Sequence, residues 1–344
     1  MSEEFPPVPR PPLAAAPPWV PGARDAGSAA DERVLSAHQL RERGIPAATA
    51  RRLCRPGGPW QMPLPGVFLL HPGPPTGEET VRAALCYAGG RPGEAVVTGL
   101  AALALHGFSA APPLAALERV DVLVPRTRRL RSAGRVCLVR TSALPRAVAA
   151  GGFPVAPAAR ALADAIAHLP GTPEVRRLLG EAVRGGHCEP RAVVRELAWA
   201  GLLGRPVVAE AVRTLPAEGR AVAEELLMDT VRAAGLPDPC WNVGLWLPDG
   251  PFLGTVDAYW PRPAVAVRID AWRPGPVPGP EQDPERRARD RRLHQTLLGL
   301  GVGVVRVTPR GLREAPGRQA DVLAGALRAA AGRPPATYVV VMPR

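Results

Sequence analysis

The chain has 344 residues and a formal net charge of +12, and all 43 of its basic residues are arginine. That length predicts two or three domains with room for real cores, and the charge favours polyanionic partners such as nucleic acid. The absence of lysine excludes a Walker-A phosphate loop, Schiff-base catalysis, a protein-kinase site and a Ser-Lys dyad. Part of the arginine excess stands in for lysine and carries no functional message. Five scattered cysteines (Cys54, Cys86, Cys137, Cys188, Cys240) never form a C-x-x-C pair. They argue against a disulfide framework or zinc ribbon and fit a reducing cytoplasm, the location expected for this chain.

Residues 1–30 hold eight prolines in the first 21 positions and no sustained apolar period, which predicts a disordered Pro/Ala-rich tail without a signal peptide. From Asp31 the texture changes. Ser36 is placed to cap a short helix through Leu40 to Arg43, Gly44 to end it, and Pro46 to precede a second helix over Ala47 to Cys54. Two short apolar runs around turn residues, Trp60 to Leu69, suit a small β-hairpin. Together, residues 31–75 read as a winged helix-turn-helix.

Residues 76–217 read as a mostly helical middle domain: two helices over 76–115, the second opening at Thr98, then a basic β-hairpin and further helices. The uncharged stretch 95–117 is broken by Gly99, His106, Gly107 and Pro112-Pro113, so two short elements are expected rather than a membrane span. The hairpin joins Val120–Val124 to Val136–Val139 through Arg126, Arg128, Arg129, Arg131 and Arg135. From Pro157 to Ala234 helical spacing continues in four segments that break near Pro170, Gly185-Gly186 and Gly204 to Pro206. Residues 218–335 then give helix, three strands, helix and strand, with 336–344 as a C-terminal extension. The fold class expected is therefore α+β and multidomain.

Three groups of residues point to chemistry. Arg51, Arg52 and Arg55 lie at or beyond the second short helix, where they reach phosphates or a guanine edge; the alternative is a solvated helix end. Residues 118–146 carry eight arginines against two acids, a connection suited to a phosphate backbone or simply to solvent. The third group is acidic. Period-two alternation puts Ala264, Ala266, Arg268 and Asp270 on one face of a strand and Val265, Val267 and Ile269 on the other. Asp257 is on the preceding strand and Glu224 on the helix before it. Acids in that order converge at one end of a sheet, as divalent-metal nuclease sites require, yet Arg268 stands among them. Gly299 to Gly303 imitates a dinucleotide loop but follows a helix, the reverse of the required order. His187-Cys188 is read as a turn, His294 as a surface residue, and the arginines from Arg286 to Arg292 as a solvated face.

With these residues in place, a family arrangement emerges. Residues 31–70 resemble the winged-helix domain of AbiEi-family antitoxins, carried by "QLRERGIPAATARRLCRPGGPW" and "PGVFLL". The block with "VTGLAALALHGF" and "APAARALADAI" resembles the region that follows it in many actinobacterial proteins. Residues 221–313 resemble the very-short-patch-repair branch of the restriction-endonuclease fold, carried by "AEELLMDTVRAAGLPDPCWN", "VDAYW", "VAVRID" and "GVGVVRVTPRGL". The resemblance implies an αβββαβ domain whose helix acid is Glu224 and whose first strand acid is Asp257. That family's central Glu-x-Asp-Gly, followed by histidine, is here Arg268-Ile269-Asp270-Ala271, so the glutamate, glycine and histidine are missing.

The expectation is a double-stranded-DNA-binding transcriptional regulator or antitoxin-like factor, with a cognate toxin as a possible protein partner and no membrane. Its nuclease-like domain holds only a vestigial site (Glu224, Asp257, Arg268, Asp270), in which Arg268 pairs with Asp257 and Glu224 and neither metal nor other cofactor is bound. The rival is a Mg²⁺-dependent, structure-selective endonuclease using Glu224, Asp257 and Asp270. A third reading is a protein-interaction module whose basic character is compositional.

Overall fold

The computed structural model describes residues 33–89, 94–248, 250–271, 284–332 and 339–343; the tail expected over 1–30 lies outside them. The protein is α+β, with eleven α-helices and three sheets among the described residues. These residues fall into two compact units, within 1–188 plus 192–211 and within 189–191 plus 212–344.

The first unit opens with β1 (Val34–Ser36), α1 (Ala37–Glu42), α2 (Ala47–Leu53), β2 (Gln61–Leu64) and β3 (Val67–Leu69). Ser36 caps α1 through a reciprocal box with Gln39, satisfying two backbone donors that the helix start leaves open. Gly44 has φ +77°, a left-handed turn open to glycine at no steric cost, and it lets the chain turn into α2. β2 and β3 reverse through Gly66, and β1 closes the sheet in the order β1-β3-β2, all antiparallel. Leu35, Leu40, Ala50 and Phe68 form the core between helices and sheet.

Thr76 and Glu79 form a second capping box at the start of α3 (Gly77–Ala88). A five-stranded sheet follows: β4 (Val96–Thr98), β5 (Val120–Pro125), β6 (Val136–Thr141), β7 (Val148–Ala150) and β8 (Phe153–Val155), ordered β6-β5-β4-β8-β7. Between β4 and β5 lies α4 (Gly99–Leu105). Helices α5 (Ala158–His168), α6 (Thr172–Arg184) and α7 (Pro190–Trp199) come next.

In the middle region helix outweighs strand, but a five-stranded sheet is built into it, and its basic segment is not a hairpin. β5 and β6 run parallel, in register from Val120↔Val136 to Pro125↔Thr141. Residues 126–135 therefore return along the whole strand, about 20 Å for six residues, rather than turning back beside it. The antiparallel neighbour of β5 is β4, which is only three residues long and so has too little alternation to be read from sequence. No helix among the described residues is long and apolar enough to cross a membrane.

The second unit comprises the C-terminal part of α8 (Pro206–Ala233), β9 (Cys240–Trp246), β10 (Phe252–Trp260), β11 (Val265–Ile269), α9 (Pro284–Gly299), β12 (Gly303–Val307), α10 (Pro309–Glu314), α11 (Pro316–Ala330) and β13 (Val340–Pro343). Its sheet is ordered β12-β11-β10-β9-β13; β11 and β12 are parallel and every other pair antiparallel. The alternation expected on β11 is present: Val265, Val267 and Ile269 pack with Ala223, Leu227 and Val231 of α8, and Ala266 packs on the opposite core with Leu297 of α9. Residues 340–343, read from sequence as an extension, add the edge strand against β9.

Candidate functional site

Arg51 and Arg52 occupy the last turn of α2 and Arg55 lies just past it, all three exposed. Cations there oppose the negative end of the helix dipole and cost the fold little. The other basic segment divides in two. Arg128 donates to the Gly89 carbonyl at 2.6 Å, Arg135 donates to the Leu117 and Glu118 carbonyls, and Arg140, which the sequence reading did not single out, donates to the Arg128 and Leu130 carbonyls. Arg126, Arg129 and Arg131 are exposed, with no acidic partner among the described residues. Guanidinium-to-carbonyl bonds thus fasten the crossover and leave three of its five predicted contact residues turned to solvent.

The acids of the second unit gather around a different cation from the one expected. Arg220 and Glu224 are one turn apart on α8 and pair at 2.8 Å; the Arg220 guanidinium also bonds Asp257 of β10. Arg268 instead reaches Asp290 of α9 at 2.7 Å, and Asp270 pairs with Arg306 of β12 at 3.4 Å. The predicted pairing of Arg268 with Asp257 and Glu224 is therefore corrected. The helical i, i+4 spacing puts Arg220 beside Glu224, whereas Arg268 lies opposite the acid that α9 presents. That spacing was the signal available in the sequence for Arg220. Nothing comparable marked Asp290.

Asp257 sits where the sheet forks. The β10–β11 register ends at Ala258↔Val267, while β11 stays paired with β12 to Ile269↔Val307. The Asp257 carboxylate accepts the Ile269 N–H at 2.5 Å in place of a strand carbonyl, which satisfies a donor the fork would otherwise strand. Asn242, the only asparagine of the chain, faces the same cluster from β9 and donates to Glu224 at 3.4 Å. Its φ of +51°, in a region that asparagine tolerates better than most residues, interrupts the regular pleat there. Asp257 is 5% exposed, and burial pushes its carboxyl above the usual range, with the nearby Glu224 charge adding to that push. The Ile269 N–H, Arg220 and Arg268 oppose the shift and do not cancel it.

A polar cavity of about 560 Å³ opens onto this cluster, a size suited to a small-molecule group. Arg220, Arg268, Arg289 and Arg292 line it together with Asp257 and Asp290. The donor set does not fit a divalent ion. Glu224 and Asp257 are bridged by one guanidinium, and Asp270 pairs with Arg306. A divalent cation about 4 Å from one guanidinium is repelled by roughly 8 kcal/mol at an effective dielectric near 20. No family model and no curated protein matches this chain.

Proposed function

We propose that the protein is a double-stranded-DNA-binding factor of the transcriptional-regulator or antitoxin-like kind, with a winged helix-turn-helix in its first unit and a nuclease-shaped second unit that does not cut. The observation that carries this reading is the β-α-α-β-β start of the first unit. There, β1-β3-β2 backs two short helices and leaves Arg51, Arg52 and Arg55 exposed together at one helix end. A helix so mounted fits a major groove, with cations at its end placed for phosphates. Arg126, Arg129 and Arg131 supply further exposed charge on the same unit. In the second unit, the helix–three strands–helix–strand order and the position of Asp257 at the fork support a nuclease-like ancestry, and Arg220 between Glu224 and Asp257 supports loss of the metal.

With about five phosphate contacts, log K against log salt for duplex DNA has a slope near −4.5. In Arg51→Gln/Arg52→Gln/Arg55→Gln the slope falls by up to about 2.7, since each lost contact removes about 0.9. A flat salt response of the intact protein overturns the DNA reading. Divalent-dependent cleavage that Asp257→Ala abolishes overturns the metal-free reading of the second unit.

A further inference from the structure

The second unit has another cavity, of about 660 Å³, among α11, the β10–β11 turn and the residues that follow α8. Leu236, Trp260, Pro263, Ala324 and Leu327 make its walls. The Trp260 indole N–H already donates to the Pro237 carbonyl at 2.6 Å, so the ring offers the cavity only apolar surface. Trp260 is buried and the other four are half-buried, so none stands far out into solvent. Apolar surface gathered inside a hollow, and not spread over a flat face, suits a small molecule better than a protein.

The charged side chains of the cavity, among the described residues, are Arg262 from the turn and Arg328 from the last turn of α11, both exposed. Neither is ion-paired among the described residues, the exposed Asp238 beside Pro237 included. Residues 333–338, which follow α11 directly, contain no acid. Two helix ends oppose the arginines. α8 stops three residues before Leu236, and Leu327 and Arg328 belong to the end of α11. Each helix C-terminus carries about half a negative charge, so together they offset about one of the two positive charges and leave about one. That balance fits a carboxylate, whereas a phosphate monoester, at about −1.5 to −2, would be only partly neutralised.

We infer that this cavity binds an amphipathic monoanion, a medium-chain carboxylate whose apolar chain lies against Trp260 and Leu327 and whose head meets Arg262 and Arg328. The site shares no residue with the Asp257 cluster or with the arginines of the first unit, so it stands or falls apart from the DNA reading.

The test is isothermal titration calorimetry of the intact chain with hexanoate, octanoate and decanoate, and with decanol and decyltrimethylammonium as the neutral and cationic analogues. Affinity is expected to rise about four-fold per added methylene until the hollow is full. Decanoate is expected to bind about ten-fold more tightly than decanol, the gain from hydrogen bonds to a charged group, and decyltrimethylammonium more weakly than either. In Arg262→Gln/Arg328→Gln the affinity for decanoate falls to that for decanol, which is itself unchanged. Ala324→Trp fills the hollow from a half-exposed position and abolishes both, and circular dichroism spectra of the two variants match the parent. Equal affinity for decanoate and decanol in the parent, or a decanoate advantage untouched in Arg262→Gln/Arg328→Gln, overturns the inference. Decanoate binding that persists in Ala324→Trp reports attraction to the arginine-rich surface at large and overturns it too. So does sedimentation showing that Ala324→Trp dissociates a dimer of the parent chain, which would make the hollow an interface between copies.

Discussion

Arg220 is the residue on which the second unit's polar cluster depends. It touches two carboxylates, and one of them, Asp257, is nearly closed to water. Removing one partner of a buried ion pair leaves an uncompensated charge, which typically costs about 3–5 kcal/mol. Arg220→Met is therefore expected to lower the unfolding free energy of this unit by that order, measured by urea denaturation at pH 7. Arg268→Met cuts a pair whose members are 21% and 27% exposed, where solvent screening keeps the loss nearer 1 kcal/mol. Equal costs for the two variants would mean that Arg220 carries no more of the cluster's stability than Arg268. The pH dependence has a definite sign. Asp257 already titrates above its unfolded value, and without Arg220 it rises further, so the folded state gains protons that the unfolded state lacks. The penalty of Arg220→Met is thus full near neutrality and shrinks as pH falls through the folded pKa of Asp257.

At the scale of elements, the parts legible in the sequence are those fixed by local chemistry. Ser36, Gly44 and Pro46 act where cap and turn rules place them, and the helices from Ala158 onward follow apolar spacing with breaks at glycine and proline. The alternation of β11 was readable because both faces of the strand are covered by distinct cores. Three-residue strands such as β4, β7 and β8 carry no period long enough to recognise. The parallel sense of β5 and β6 depends on β4 taking the antiparallel side, a long-range fact absent from residues 120–141 themselves. In the candidate site, Glu224 and Asp257 were legible as acids on a helix and a strand and the i, i+4 spacing marks Arg220 beside Glu224, but the reach of Arg220 to Asp257 was not legible, since it depends on how α8 lies over the sheet. Helix α8 is instructive in another way, because it continues through Pro216 although the sequence suggests a fresh start at Glu218. Leu215 and Ala223 are both fully buried on either side of that proline, so packing outweighs the local penalty. Pro216→Ala restores an N–H for the Val212 carbonyl and removes a ring clash worth up to about 3 kcal/mol in a helix interior. The variant should melt at a higher temperature by calorimetry; an unchanged or lower midpoint would show that the helix is already relaxed around the proline.

For the molecule as a whole, the two units are expected to respond to acid in opposite directions. In the first unit, burial pushes the Glu79 carboxyl up, but the Thr76 backbone and hydroxyl and the His71 ring outweigh it and hold it below the usual range. Glu181 behaves likewise: burial is overcome by the Ser109 and Ala110 backbone N–H groups, which bond it at 2.5 and 2.7 Å, and by the nearby His187. Carboxyls with depressed folded pKa values add stability that is full above their unfolded pKa, about 4.3, and is lost as pH falls through the folded values. Asp257, raised instead, gives the second unit a contribution that grows as pH falls. Acidification from pH 5 towards 3 should therefore open the first unit before the second. Pepsin digestion across this range, with fragments identified by mass, is expected to cut first within residues 33–188. Glu79→Gln/Glu181→Gln keeps acceptor oxygens but removes both titrations, so its first unit should be less stable at neutral pH and lose less stability on acidification. If that double variant is cut with the same pH profile as the parent protein, charges elsewhere among the arginine-rich surfaces govern the acid response.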